Sequence, residues 1–141
     1  MNILVDTSVW SLAFRKKTLT LEETKIVSEL KELIYEKRVI MIGPIRQELL
    51  SGIKNKKIFD QLCSKIKAFE DVSIETEDYE KAAEINNVCR SNGIQGSHID
   101  FLITATAMKR NIAIFTIDKD FQNYSKIVEI KLHKIRNDIE E

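Results

Sequence analysis

Two hydrophobic patterns take turns along this chain. The first is a short, nearly unbroken apolar run, seen at Ile3–Val5, 39–42 and 112–117. Each is too short for a helix and apolar on consecutive positions, as a strand covered on both faces would be. The second pattern returns apolar residues every three or four positions and predicts helices between the strands. Ile26, Val27, Leu30, Leu33 and Ile34 follow a Thr20/Glu23 capping box and run to about Lys37. Pro44 suits a first helical turn, and Ile45, Leu49 and Leu50 follow it to about Gly52. Asn55 caps a helix with Ile58, Phe59, Leu62, Ile66 and Phe69 on one face. Thr76 opens another, carrying Tyr79, Ala82, Ile85 and Cys89. Ser97 opens the next, with Phe101, Leu102, Ala105 and Met108 leading to Asn111. Near the N-terminus, Thr7 and Ser8 are placed to cap a short helix holding Val9, Trp10, Leu12, Ala13 and Phe14. Residues 72–74 read as a further strand, and 127–132 as an edge strand alternating Val128, Ile130 and Leu132. Strands alternating with helices predict an α/β fold on a mainly parallel central sheet flanked by helices.

A length of 141 residues suits one domain with its own core. Residues 1–135 form that domain in this reading, and 136–141 a charged, frayed tail. Lys+Arg and Asp+Glu balance at 22 each, so no global charge announces a nucleic-acid partner, although a local patch can still supply one. No apolar run is long enough to span a bilayer, and the chain opens directly on a strand-like run, so neither a membrane span nor a signal peptide is expected. Cys63 and Cys89 lie within helical patterns without metal-ligand spacing. They read as free thiols in a reducing, cytoplasmic setting.

The candidate chemistry lies in four acids placed where the chain changes direction. Asp6 and Asp118 end apolar strands; Asp100 sits in the first turn of a helix and Glu48 one turn into another. In open α/β sheets, ligands gather beyond the carboxyl ends of the strands. If the strands of Asp6 and Asp118 are neighbours, all four acids reach one spot. Clustered carboxylates repel one another and suit a hard divalent cation, Mg²⁺ or Mn²⁺. Ser8 and Thr116 carry hydroxyls close enough in sequence to orient those carboxylates. Taken singly, each acid has an ordinary explanation as a helix cap, a dipole partner, a solvated helix residue or a turn former. Their joint pattern favours a site. Arg15, Lys16 and Arg46 are candidate phosphate contacts, set against the default of solvated loops and helix faces for short basic runs. Lys54-Asn55-Lys56-Lys57 and Lys65-Ile66-Lys67 share that choice, and His98 reads as a surface residue.

Four segments resemble the motifs of PIN domains, especially VapC-type toxins. They are Val5-Asp6-Thr7-Ser8-Val9-Trp10, Glu48-Leu49-Leu50-Ser51-Gly52, Asp100-Phe101-Leu102-Ile103-Thr104-Ala105-Thr106-Ala107 and Phe115-Thr116-Ile117-Asp118-Lys119-Asp120-Phe121, in order across nearly the whole chain. The resemblance implies a three-layer PIN-like fold. It also implies a Mg²⁺- or Mn²⁺-dependent ribonuclease cutting single-stranded RNA to leave a 5′-phosphate and a 3′-hydroxyl. Such a protein is usually the toxin of a toxin–antitoxin pair, a homodimer inhibited by a small antitoxin. Carried over by position, Asp6, Glu48, Asp100 and Asp118 become the metal-site acids and Asp120 a fifth, direct or supporting. The run Phe101-Leu102-Ile103-Thr104 departs from the pattern, and Phe101 is placed to narrow the site. The rival readings are a catalytically silent PIN-fold module and a receiver-like signalling domain. The receiver would need an Asp at the end of a middle strand, where this chain has Gly43-Pro44.

Overall fold

The computed structural model describes residues 1–136; the rest of the predicted tail, 137–141, lies outside the described residues. Four strands, β1 (Ile3–Val5), β2 (Val39–Ile40), β3 (Ala113–Phe115) and β4 (Lys131–Leu132), form one sheet of order β2-β1-β3-β4 in which every pairing is parallel. Among the described residues seven helices accompany it: α1 (Thr7–Phe14), α2 (Leu21–Tyr35), α3 (Gly43–Leu50), α4 (Lys56–Ile66), α5 (Thr76–Ser91), α6 (His98–Arg110) and α7 (Asp120–Tyr124).

Ile3, Leu4 and Val5 are all buried. Successive strand residues point to opposite faces, so burial of all three means that both faces of β1 are covered. That is the α/β layering expected from the unbroken apolar runs. The capping box on α2 forms as predicted, with Thr20 Oγ accepting from the Glu23 amide and the Glu23 carboxylate from the Thr20 amide. Asn55 likewise caps α4 through the Ile58 amide.

Three expectations change. Residues 72–74 do not form a strand: a single parallel bridge joins Met41 to Asp71, and Val72 gives one further backbone bond to Met41. The alternating run at 127–132 contributes only Lys131 and Leu132 to the sheet, because the Ile127 and Val128 amides turn back onto Tyr124. Helix α7 was not predicted. It has five residues, less than two full turns, and it exists because Phe121 and Tyr124 are both fully buried.

Candidate functional site

Asp6 is the first residue beyond β1, and the register fixes where it points. Val5 pairs with Phe115, so Asp6 stands level with Thr116, and the Asp6 amide closes the ladder on the Phe115 carbonyl at 2.9 Å. The Val5 carbonyl is held at 3.1 Å by the indole N–H of fully buried Trp10, which fastens α1 across the strand end. Asp6 itself is the N-cap of α1, replacing the expected Thr7 and Ser8, because its carboxylate reaches the Ser8 amide. One oxygen, Oδ2, carries the whole load. It accepts from the Ser8 hydroxyl at 2.6 Å and from the Thr116 hydroxyl at 2.8 Å. The same two hydroxyls accept from the Ile117 and Asp118 amides at 3.1 and 3.0 Å. Ser8 and Thr116 thus lock the turn after β3 onto the turn after β1.

Asp100 enters from α6. Ser97 caps that helix by accepting from the Asp100 amide at 3.0 Å, which sets Asp100 in the first turn. Asp118 follows β3, and its Oδ1 accepts from the Asp120 amide at 2.9 Å, turning the chain into α7. The outcome is a tight acidic group: Asp100, Asp118 and Asp120 each place a carboxylate oxygen within 4.8 Å of the others. Burial pushes the Asp100 carboxyl up to about 6, and the charges of Asp6 and Asp118 add to the rise. A hydrogen bond from Tyr124 acts in the opposite direction without overcoming them.

Glu48 stands to one side. It is exposed, and its Oε1 accepts from the Thr7 hydroxyl at 2.6 Å at the start of α1. It also lines a mostly apolar cleft of about 530 Å³ beside the acids, together with Pro44, Tyr79, His98, Phe101 and Leu102. Phe101, next to Asp100 in sequence, contributes to the lining of this cleft. Arg46 is engaged elsewhere: its guanidinium bonds Asp71 at 2.9 Å, Ile66 O at 3.1 Å and Phe69 O, tying α3 to the end of α4. These three bonds occupy the Arg46 guanidinium, in place of the phosphate contact expected from the sequence. Arg15 and Lys16 are exposed at the far end of α1, where Lys16 pairs with Glu23 at 2.7 Å.

The family model for the PIN domain matches residues 3–127, most of the chain. The chain belongs to the PIN domain family. Solved structures of similar fold include FitAcB from Neisseria gonorrhoeae. Its TM-score is 0.73 at 21% identity, with 94% of this chain and 96% of that chain covered. A second is VapBC2 from Rickettsia felis bound to a DNA fragment from their promoter, with TM-score 0.73, 16% identity, and 94% and 98% coverage. A third is FitAB bound to an IR36 DNA fragment, with TM-score 0.70, 20% identity, and 93% of each chain covered. No curated protein matches the chain.

The residue of this PIN domain that sequence reasoning missed is Tyr124. It is fully buried, and its hydroxyl donates to Asp100 Oδ2 at 2.7 Å. Burial, then the neighbouring Asp100, raises the phenol above its ordinary value and keeps it a donor. Its ring packs on Phe101 and Phe121 at centroid distances of 5.1 and 5.2 Å. Gly96 makes room for it: a Cβ there would collide with the Tyr124 hydroxyl and come within 2.7 Å of Phe101 Cζ. The available signal was the spacing of Phe121 and Tyr124 after Asp120, three apart and thus on one helical face.

Proposed function

We propose that this PIN domain is a Mg²⁺- or Mn²⁺-dependent endoribonuclease that hydrolyses phosphodiester bonds in single-stranded regions of RNA, and that it is the toxin of a toxin–antitoxin pair. One observation carries the reading: the oxygens of Asp100, Asp118 and Asp120 lie within 4.8 Å of one another, next to Asp6, at the carboxyl edge of a parallel sheet. The raised Asp100 carboxyl reflects burial first and the nearby Asp6 and Asp118 charges second, and a bound divalent cation would offset both. A donor set made only of carboxylate oxygens suits Mg²⁺ or Mn²⁺ better than zinc. Asp100, Asp118 and Asp120 would hold the ion, with Asp6 and Glu48 completing the acidic rim. When bound, such an ion activates water and offsets negative charge developing on the phosphate.

The chain's own residues do the positioning. Ser8 and Thr116 occupy Oδ2 of Asp6, so that among the described residues its Oδ1 accepts no hydrogen bond. Tyr124 does the same for Asp100, holding Oδ2 with a neutral donor. Both arrangements fix a carboxylate in place, as outer partners do for metal ligands in general. The likeness in fold to VapBC2 and FitAB supports a cognate antitoxin as partner, and we extend the proposal to a cytoplasmic homodimer. No helix among the described residues is long and apolar enough to cross a membrane.

The test is cleavage of mixed-sequence single-stranded RNA with Mn²⁺. Asp100→Asn should lower the rate by at least about 100-fold while the circular dichroism spectrum is unchanged. Chelation should stop the wild type, and Mn²⁺ restore it. Wild-type rates from Asp100→Asn, or activity that survives thorough chelation, would sink the metal assignment. Equal cutting of single-stranded DNA would remove the RNA specificity. Inert wild-type protein would favour the silent module.

A further inference from the structure

Three basic segments that are far apart in sequence meet in one groove at the end of α1 remote from the acids. Arg15, Lys16 and Lys17 come from the turn after α1, Lys54 from the turn before α4, and Lys65 from α4 itself; the groove encloses about 440 Å³, and no carboxylate lines it. All five cations are exposed. Lys16 is paired with Glu23, whereas Lys17 and Lys54 make no hydrogen bond or ion pair among the described residues. Lys65 lies 6.0 Å from the centre of the Phe14 ring, which forms part of the groove floor and stacks on Trp10. The chain as a whole has a formal net charge of zero, so a groove lined by five cations is a strong local departure that concentrates positive potential.

The groove also has a fixed relation to the acids. Helix α1 begins beside Asp6, where Thr7 holds Glu48, and ends at Phe14 on the groove floor. Eight helical residues span about 12 Å at roughly 1.5 Å each. A stacked single strand advances about 3.4 Å per nucleotide, so that span corresponds to roughly three to four nucleotides. We propose that this groove is a second substrate contact that grips the phosphates of the RNA strand three to four nucleotides away from the bond held at the acids. Lysine suits the task as a mobile point charge that reads no sequence, and the half-buried Phe14 face offers apolar contact to a sugar or base. The identity of the bound strand as substrate rests on the ribonuclease reading; the binding itself does not.

The two are separated by measuring binding without cleavage. A fluorescein-labelled single-stranded RNA of about 20 nucleotides is titrated in chelator over roughly 50–200 mM salt. The wild type is compared with Lys17→Gln/Lys54→Gln/Lys65→Gln and with a control of equal charge change, Lys31→Gln/Lys81→Gln/Lys134→Gln. The groove variant should lose about 10-fold or more in affinity, and its slope of log affinity against log salt should flatten by about 2, near 0.7 for each lost contact. The control should behave as wild type, and arginine at the three groove positions should restore binding. With Mn²⁺ added, the groove variant should show a higher KM at unchanged kcat, as loss of uniform binding requires. Equal affinity and slope for groove variant and control would overturn the proposal. So would an acidic polypeptide such as polyglutamate binding through the groove while RNA ignores the three substitutions, which would assign the groove to a protein partner. Wild type that binds through the groove yet never cleaves would sink the nuclease reading and leave the groove standing.

Discussion

Tyr124 shows how one hydroxyl can set the behaviour of a carboxylate. Its O–H donates to Asp100 at 2.7 Å and lowers a carboxyl that burial and the Asp6 and Asp118 charges have raised. Tyr124→Phe removes that donor while keeping the ring between Phe101 and Phe121. The Asp100 carboxyl should then titrate above its present value of about 6 in chelator, as followed by carboxyl NMR. Stability should fall by about 1 kcal/mol, the usual cost of one buried hydrogen bond. A lower Asp100 pKa in the variant would refute the assignment. Of the residues around the acids, Asp6, Asp100 and Asp118 were legible in sequence because each follows a recognisable strand or cap. The partner of Tyr124 was not legible, since its spacing from Phe121 marks a helical face but not the carboxylate it meets 24 residues earlier. Arg46 misled for the complementary reason. A guanidinium near an acid looks like a phosphate ligand until its donors are seen to end on Asp71, Ile66 and Phe69.

At the level of elements, the long helices could be read because their caps and periodicity are local. The five-residue α7 could not, and β4 only in part. Helix α7 and strand β4 persist only through what they dock on. For β4 the anchor is Glu29, a buried carboxylate on α2 that bonds the His133 ring nitrogen at 2.6 Å and Arg136 Nε at 2.9 Å. Arg136 also bonds Glu36, and the His133 ring packs edge-on against Phe115 of β3 at 5.2 Å. The chain after Leu132 is thereby held against α2 and the central sheet, and the His133 amide bonds Ile114 O at 2.8 Å. Glu29→Ala leaves two polar side chains facing an empty position. It should cost about 1–2 kcal/mol, less than a fully buried pair, because Arg136 is exposed and keeps Glu36. Hydrogen exchange should show the loss first at the His133 amide, well before β1 and β3. Uniform loss of protection across the sheet would show instead that β4 and the central strands unfold as one unit.

For the molecule as a whole, the acidic cluster links stability to pH and to cations. An acid whose folded pKa is raised favours folding in its neutral form. The contribution of Asp100 is therefore fully present below its ordinary value near 3.8 and lost as pH rises through about 6. Asn at position 100 imitates the neutral acid. In chelator, wild type and Asp100→Asn should melt together near pH 4, and the wild type should fall below the variant by pH 7. The gap should be about 1 kcal/mol after allowance for solvent screening. Mg²⁺ at a hundredfold excess over its dissociation constant should add about 2.7 kcal/mol to the wild type and so reverse the order. A gap in melting temperature that stays constant from pH 4 to 7 would mean that the Asp100 carboxyl is not raised in the folded protein.

The sequence alone determined whatever depends on near neighbours: the strand-like runs, the caps at Thr20, Asn55 and Ser97, the alternation that makes the sheet parallel, and the ordered motifs that mark a PIN domain. Periodicity and capping act within a turn or two of helix, so a single sequence displays them. The tertiary structure decided what depends on register and docking. It made β1 and β3 neighbours, so that Thr116 reaches Asp6, and it brought Asp120 into the tight acidic group while Glu48 turned to Thr7. It folded Tyr124 back onto Asp100 and gathered lysines from three segments into one groove. The Tyr124–Asp100 and Thr116–Asp6 contacts join residues 24 and 110 positions apart. They follow from burial of apolar faces across the whole chain, which no local pattern encodes.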